Sequence, residues 1–510
     1  MKNLTEYIEV AILDGEYWWG GSVNAGHEMP YNVYSDCSLN LYGDRENDQF
    51  APLLVSSKGR YIWSEEYFRA EINNGIIKLY GLDKFEICEG YQNLKGAYLA
   101  AMDKHFKFTG KLPDKMFWEA PQYNTWIELG TEQTTESILR YAKGILDNGL
   151  PPGILMIDGG WQEDYGVFEF HRGKIPDPNF LVDELHRLGF KVMLWVSPII
   201  AAAGENFKKL SELNYLVKDK DNEIAIRKWW SGYSAVLDFT NPDAKAWYHS
   251  QLSSLMKRYN IEGFKFDAGD RYFYEDEDII HTPMPARNQT MIFNEVGECY
   301  SFNEYRAAWK FGGQAIVARL HDKYHTWDDF GLNTLIPHTI LQGLLGYAYC
   351  CPDMVGGGIL DCFDKGQKLD EELFVRWAQA NALMPMMQMS VAPWRVLSKE
   401  SANLVVDAIK LHAKFADKFY ALAKESAKTG EPIARHMAYE FYDEGFEDEN
   451  GQFMIGSDLL VAPVLEAGAK KKTVRFPKGK WIGQDGTQYD GGCEIDFPVD
   501  IASILYFIKE

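Results

Sequence analysis

The sequence predicts an α/β chain built on a (β/α)8 TIM barrel, with a β-sandwich ahead of the barrel and a second β-domain after it. Three observations carry that expectation. Residues 1 to about 110 read as short β segments broken by turns, short apolar runs alternate with helical stretches from Met116, and the β texture returns after about Lys418. Alternating apolar runs and helices mark a parallel sheet, because parallel strands can be joined only by crossovers. The 510 residues, 46% hydrophobic and 25% charged, suffice for one large core with satellite domains and lie outside the composition of disordered chains.

Taken in order, the N-terminal β-sandwich is expected over residues 1–110. There Gly20-Gly21 and Asn73-Asn74-Gly75 mark turns, and Ile76-Ile77-Lys78-Leu79-Tyr80 reads as a strand. The barrel is expected over 111–420, with strand candidates at 116–119, 153–158, 191–196, 263–267, 305–309, 315–319, 347–350 and 386–389. Eight strands are what such a barrel needs. The fifth run, reaching from Glu304 to Trp309, reads equally well as the continuation of a helix. The C-terminal β-domain is expected over 421–510, from the runs 452–456, 459–464 and 473–477 and the Gly- and Asp-rich turns after them. No internal repeat or low-complexity tract interrupts this plan.

Composition narrows the partners. A net charge of −22 disfavours nucleic acid, since binding phosphates needs clustered Lys and Arg. Aromatic content of 14%, with 15 Trp and 29 Tyr, suits the apolar faces of sugar rings as well as a packed core. The start, Met1-Lys2-Asn3-Leu4-Thr5-Glu6, lacks the regions of a secretory signal, and no apolar run is long enough for a bilayer. A cytoplasmic chain with no membrane partner is therefore expected. The seven cysteines include adjacent Cys350-Cys351 and no CxxC spacing, so reduced thiols are expected rather than disulfides or zinc. His171, His321 and His325 show no ligand-like spacing with other His or Cys, and neither a metal nor another cofactor is expected.

In a (β/α)8 barrel, functional side chains project from the C-terminal ends of the strands. Asp158 closes Ile154-Leu155-Met156-Ile157, Asp267 closes Gly263-Phe264-Lys265-Phe266, Asp322 follows the sixth candidate and Asp353 the seventh. A single such aspartate is often a helix cap. Four of them, with Trp161, Trp195 and Trp309 at equivalent positions, point to a pocket. Cleaving a glycosidic bond needs one ionised and one protonated carboxyl group. Lys265, two residues before Asp267, points to the same strand face and would keep that carboxylate ionised, unless it is a structural ion-pair partner.

From about Pro113 to the C-terminus the chain resembles glycoside hydrolase family 31. The likeness lies in residues 168–178, in 185–198 ahead of the fourth strand, and in Phe453-Met454-Ile455-Gly456-Ser457-Asp458-Leu459-Leu460-Val461-Ala462-Pro463-Val464 with Pro477-Lys478-Gly479-Lys480-Trp481. The resemblance implies that Asp267, in Lys-Phe-Asp-Ala-Gly-Asp, is the nucleophile and Asp270 the acidic residue that follows it. Lys-Phe-Asp-Ala-Gly replaces the Asp-Met-Asn-Glu of α-glucosidases and, with Tyr123-Asn124-Thr125-Trp126-Ile127-Glu128-Leu129, is similar to the α-galactosidase branch. The usual Trp-x-Gly-Asp around the general acid is absent; matching Asp-Asn-Thr-Ala-Thr-Trp to residues 322–327 puts the acid at Asp322, with Asp328 as the rival.

By the same resemblance Asp158 and Asp353 bind sugar hydroxyls, Arg319 and Lys265 supply donors, and Trp126, Trp195 and Trp309 form walls, unless these tryptophans only pack. The implied activity is a retaining, exo-acting α-galactosidase on an oligosaccharide or other α-glycoside, in which homo-oligomers are possible, with the two carboxyl groups roughly 5 to 5.5 Å apart. The alternatives are a glucose, xylose, N-acetylgalactosamine or sulfoquinovose specificity on the same scaffold, the last disfavoured because a Gln-Gln-Arg-Trp-type determinant is missing, and a family 36 α-galactosidase, whose Ile-Asp-Asp-Gly-Trp resembles Ile157-Asp158-Gly159-Gly160-Trp161. A catalytically silent carbohydrate-binding protein on the same fold is the non-enzyme alternative.

Overall fold

A strand covered by helices on one face and filled by side chains on the other must be buried along its length. The runs Ile154–Ile157 and Gly263–Phe266 meet that demand at every residue. In the computed structural model, which describes residues 6–42, 48–364 and 368–510, they belong to one eight-stranded parallel sheet. Its strands are β1 (Gln122–Asn124), β2 (Ile154–Ile157), β3 (Lys191–Val196), β4 (Gly263–Phe266), β5 (Phe302–Tyr305), β6 (Ala318–Arg319), β7 (Cys350–Cys351) and β8 (Gln388–Met389). The order runs β7-β6-β5-β4-β3-β2-β1-β8, which bends the sheet into a barrel. Across the seam between β7 and β8, Val355 N–H donates to the Gln388 carbonyl at 2.9 Å. Residues 1–5, which contain most of the start weighed for a secretory signal, lie outside the described residues.

Helix starts follow from local chemistry. Thr134 caps the helix Thr135–Asp147 in a reciprocal box with Ser137. Asp177-Pro178 and Asn241-Pro242 start the helices after β2 and β3, each with the acceptor side chain as cap and proline in the first turn. After β8 the 31-residue helix Lys399–Thr429 carries the chain out of the barrel. Among the described residues, no helix is long and apolar enough to cross a membrane.

Several strand expectations need correction. Residues 116–119 form a short helix, Met116–Glu119, and the first barrel strand is Gln122–Asn124. A four-residue apolar run does not separate helix from strand, and burial of Trp118 against Tyr349 and Tyr420 decided it. The fifth strand spans Phe302–Tyr305, not 305–309. No helix separates β5 from β6; instead Ala308–Trp309 pairs in parallel with the N-terminal strand Gln49–Ser56. The last three strands are also shorter than expected, two residues each.

Before the barrel lie two antiparallel sheets. One orders Ile8–Ala11, Ile76–Gly81, Phe68–Asn73 and Cys37–Asn40; the other holds Trp18–Ser22, Gln49–Ser56, Tyr61–Ser64 and Phe85–Cys88, and takes in Ala308–Trp309 from the barrel. The hairpin joining Phe68–Asn73 to Ile76–Gly81 turns on Asn74 and Gly75 at φ 52° and 71°, the double left-handed turn that an Asn-Gly pair favours. After the barrel, a six-stranded sheet and a two-stranded ladder pack around a separate core that includes Met437, Phe441, Phe476, Trp481 and Phe507.

Candidate active site

The turn after β4 presents Asp267 on the C-terminal face. Ala268 at φ 57° and Gly269 at φ 75° reverse the backbone there, so the Ala268 N–H donates back to Asp267 Oδ1 at 2.8 Å. A left-handed alanine is a strained choice of the kind that functional sites retain. Arg306, the residue after β5, donates from Nε to Asp267 Oδ1 at 2.9 Å, and Trp195 of β3 donates from Nε1 to Oδ2 at 2.8 Å. Burial alone would raise the Asp267 carboxyl, yet the charges of Arg306 and Lys265 and the Trp195 N–H hold it far below the usual carboxylate range. Its surroundings favour the ionised form.

The group around Asp322 is built differently. Arg319, the last residue of β6, is buried and donates from one terminal nitrogen to Asp322 Oδ1 at 3.0 Å and Asp353 Oδ1 at 2.9 Å. Its Nε lies 3.4 Å from Glu304 Oε1. The Asp322 side chain is 36% exposed, whereas that of Asp353 is fully covered. Burial and the neighbouring Asp322 charge push Asp353 up to about 7 against the pull of Arg319. The backbone after Asp353 approaches Asp322 so closely that a Cβ on Gly358 would lie 2.7 Å from Asp322 Oδ1. Asp267 and Asp322 act on the same cations, since both carboxylates raise the pKa of Arg306 and of Arg319.

The other expected residues separate into those joined to this group and those apart from it. Asp158, just past β2, accepts from Lys265 Nζ at 2.7 Å; Lys265 is thus the direct partner of Asp158, and Arg306 takes the place expected for it beside Asp267. Asp270 Oδ2 accepts from Arg306 at 3.2 Å, while its buried Oδ1 has no partner among the described residues. Trp309 is not a wall of this group: it is fully buried where the barrel meets the N-terminal sheet, and its Nε1 donates to Asn288. Trp126 opens the short helix Trp126–Leu129 after β1 and stays half-buried. Asp328 is exposed and accepts from Thr326 Oγ1 at 2.6 Å and Phe330 N–H at 3.0 Å, a turn-capping arrangement.

Sequence reasoning missed Arg306, Glu304 and Asp48. Arg306 directly follows the strand Phe302–Tyr305, but that strand carries Asn303 and Glu304 and gives no clean apolar run, and framing it three residues too late hid the arginine. Asp48, His321 and His338 form a grouping that linear spacing did not reveal: one ligand atom from each lies within 4.8 Å of the others, as a metal site would require. Lys323 Nζ already lies 3.0 Å from His338 Nδ1 and donates to Thr334 Oγ1 at 2.8 Å, placing a cation among those donors.

Six carboxyl groups, those of Asp158, Asp267, Asp270, Glu304, Asp322 and Asp353, here share three cations, Lys265, Arg306 and Arg319. Even with Asp353 pushed up to about 7, carboxyl groups outnumber these cations, an arrangement that stabilises positive charge appearing on a bound molecule. One carboxylate is favoured in its ionised form and another touches solvent, so a division between attack and proton transfer is available.

A sequence relative, the myogenesis-regulating glycosidase of Mus musculus, is 31% identical over 438 residues, covering 83% of this chain and 60% of that protein. Alpha-glucosidase 2 of Bacillus thermoamyloliquefaciens is 23% identical over 446 residues, covering 80% and 54%. The chain thus spans three fifths or less of the length of these two relatives. Among solved structures, a GH31 dextranase of Flavobacterium johnsoniae complexed with glucose superposes with a TM-score of 0.87 at 22% identity, over 99% of this chain and 66% of that one. None of the three is named for galactose, so the expected α-galactosidase branch is not established by them. The profile described as the glycosyl hydrolases family 31 TIM-barrel domain matches residues 122–422, and the family 31 C-terminal domain profile matches 430–510. With its barrel and its C-terminal domain both matched, the chain belongs to glycoside hydrolase family 31.

Proposed function

We propose that the chain hydrolyses α-linked glycosides with net retention by double displacement. Asp267 attacks the anomeric carbon while Asp322 gives its proton to the departing oxygen; Asp322 then takes a proton from water, which releases the sugar from Asp267. The observation that supports this reading most is the contrast in exposure between two ion-paired carboxyl groups: Asp267 is buried and held low by Arg306, whereas Asp322, paired with Arg319, is reached by solvent. The carboxyl excess suits a transition state with oxocarbenium character. Asp158, Asp270 and Asp353 stand around it as acceptors for sugar hydroxyls, with the unpartnered Asp270 Oδ1 the readiest.

On the identity of the sugar, relatives named an α-glucosidase and a dextranase favour a glucose-type α-glycoside over galactose. The galactoside reading rests on Lys265-Phe266-Asp267-Ala268-Gly269 and residues 123–129. Parallel assays with 4-nitrophenyl α-D-glucoside, α-D-xyloside and α-D-galactoside decide between them. NMR of the first-released sugar should show the α-anomer. Release from none of these, with sugars still bound, would convert the reading to a silent carbohydrate-binding protein, and a β-anomer would remove the double displacement.

A further inference from the structure

The N-terminal sheet reaches into the acid side of the site at two consecutive residues. Asp48 and Gln49 are both fully buried. Asp48 Oδ1 accepts from the His321 backbone N–H at 2.6 Å, and Asp48 Oδ2 lies 2.7 Å from His321 Nδ1. Gln49 Nε2 donates to the Arg319 carbonyl at 2.9 Å and to the Arg306 carbonyl, while Gln342 Nε2 donates to Gln49 Oε1 at 2.7 Å. The ladder between β5 and β6 consists of one residue pair, Tyr305 with Ala318. Just beyond it, where the barrel offers the carbonyls of Arg306 and Arg319 no strand partner, the amide of Gln49 accepts that duty.

Asp322 sits inside this clamp. On its N-terminal side, the Arg319 carbonyl is held by Gln49 and the His321 N–H by Asp48; on its C-terminal side, the Lys323 N–H is held by Asp353 Oδ2 at 2.7 Å. Two of these three main-chain restraints on the proton donor are therefore supplied by residues ahead of the barrel, a part of the chain that contributes none of the six carboxyls or three cations of the site. Resting on the reading of Asp322 as the acid, we infer that Asp48 is a positioning residue for proton donation, acting through His321 on the placement of Asp322. Geometry at this level matters, since a displacement of about 1 Å can cost on the order of 100-fold in rate.

The test exploits leaving-group dependence, which a general loss of packing would not alter. Full-length Asp48→Ala, Asp48→Asn and Asp322→Ala are compared on the methyl and the 2,4-dinitrophenyl α-glycosides of the sugar the unaltered chain cleaves best. Asn keeps one acceptor oxygen for the His321 N–H but sets its amide NH2 opposite Nδ1, which it can meet only when that ring nitrogen carries no proton, so the second contact demands a particular tautomer. Asp48→Ala should lose about 100-fold in kcat/KM on the methyl glycoside and less than about threefold on the dinitrophenyl one, with Asp48→Asn intermediate. Should Asp48→Ala not fold, Asp48→Asn decides alone. Equal losses on both substrates, or none on either, overturn the positioning role while leaving the glycosidase reading standing. A missing leaving-group split in Asp322→Ala would instead remove the acid itself, and with it the premise.

Discussion

The two halves of the site contrast in construction. The nucleophile half is built on adjacent strands: Trp195 of β3, Asp267 after β4 and Arg306 after β5, all buried and joined by direct hydrogen bonds. The acid half is assembled from β6, the loop after β7 and a residue pair from the N-terminal sheet, and its central carboxyl touches solvent. The difference follows from what each carboxyl must do. A nucleophile has to stay ionised, which adjacent fixed cations secure; an acid–base group has to exchange protons with water, so it cannot be walled in and must be placed by restraints on its backbone.

The sharpest way to break the contrast is Asp267→Ala, which should lower kcat/KM by roughly 10⁴-fold or more on every glycoside while sugar binding, followed by calorimetry, persists. Next comes Asp322→Ala, expected to cost about 10²- to 10³-fold on alkyl glycosides and little on activated aryl ones, with Asp328→Ala near neutral. The opposite ranking in steady-state assays would move the acid to Asp328.

Arg306→Gln sharpens the electrostatic side of the comparison. Removing that cation raises the Asp267 pKa, so the acidic limb of the kcat/KM profile should shift to higher pH, with a loss of about tenfold near neutrality. An unchanged limb would mean that Lys265 and the Trp195 N–H suffice.

A smaller effect separates the buried carboxyl of the acid half from its neighbours. Asp353 has a folded pKa of about 7, above the ordinary value it regains on unfolding, so the folded state holds a proton that the unfolded state has released. Its contribution to stability is complete below the unfolded value and is lost as pH rises through about 7. Asp353→Asn should therefore flatten the decline in Tm between acidic and neutral pH by a few degrees; an unchanged slope would assign that decline elsewhere. The smallest effect is expected at the other half, where Ala268→Gly relieves a left-handed alanine and should stabilise the fold by about 1 kcal/mol in denaturant titrations, short of the entropy glycine adds to the unfolded chain.

The same contrast governs what the sequence could disclose. The strands β2, β3 and β4 stand out because each is a run of at least four mostly apolar residues, and Asp158 and Asp267 follow two of them directly. The strands β6, β7 and β8 have two residues each, too short for any periodicity; Asp322 and Asp353 were picked out as aspartates following longer apolar runs, and their roles were assigned only by family motif. Arg306 lay within a quoted run but was assigned to the middle of a strand. Asp48 offered no local signal, because its partner His321 is far along the chain and the pairing exists only once the sandwich has docked.

One consequence concerns inheritance. The connection from β5 to β6 holds no helix, and its pair Ala308–Trp309 lies in register with Gln49 and Phe50, with the Ala308 N–H donating to the Asp48 carbonyl and the Lys310 N–H to the Phe50 carbonyl. A lineage carrying this barrel could not exchange its leading sheet as an independent cassette. Any substitute would have to arrive with a strand at the same register and with side chains able to fill the roles of residues 48 and 49, so these two parts of the chain are bound to change together.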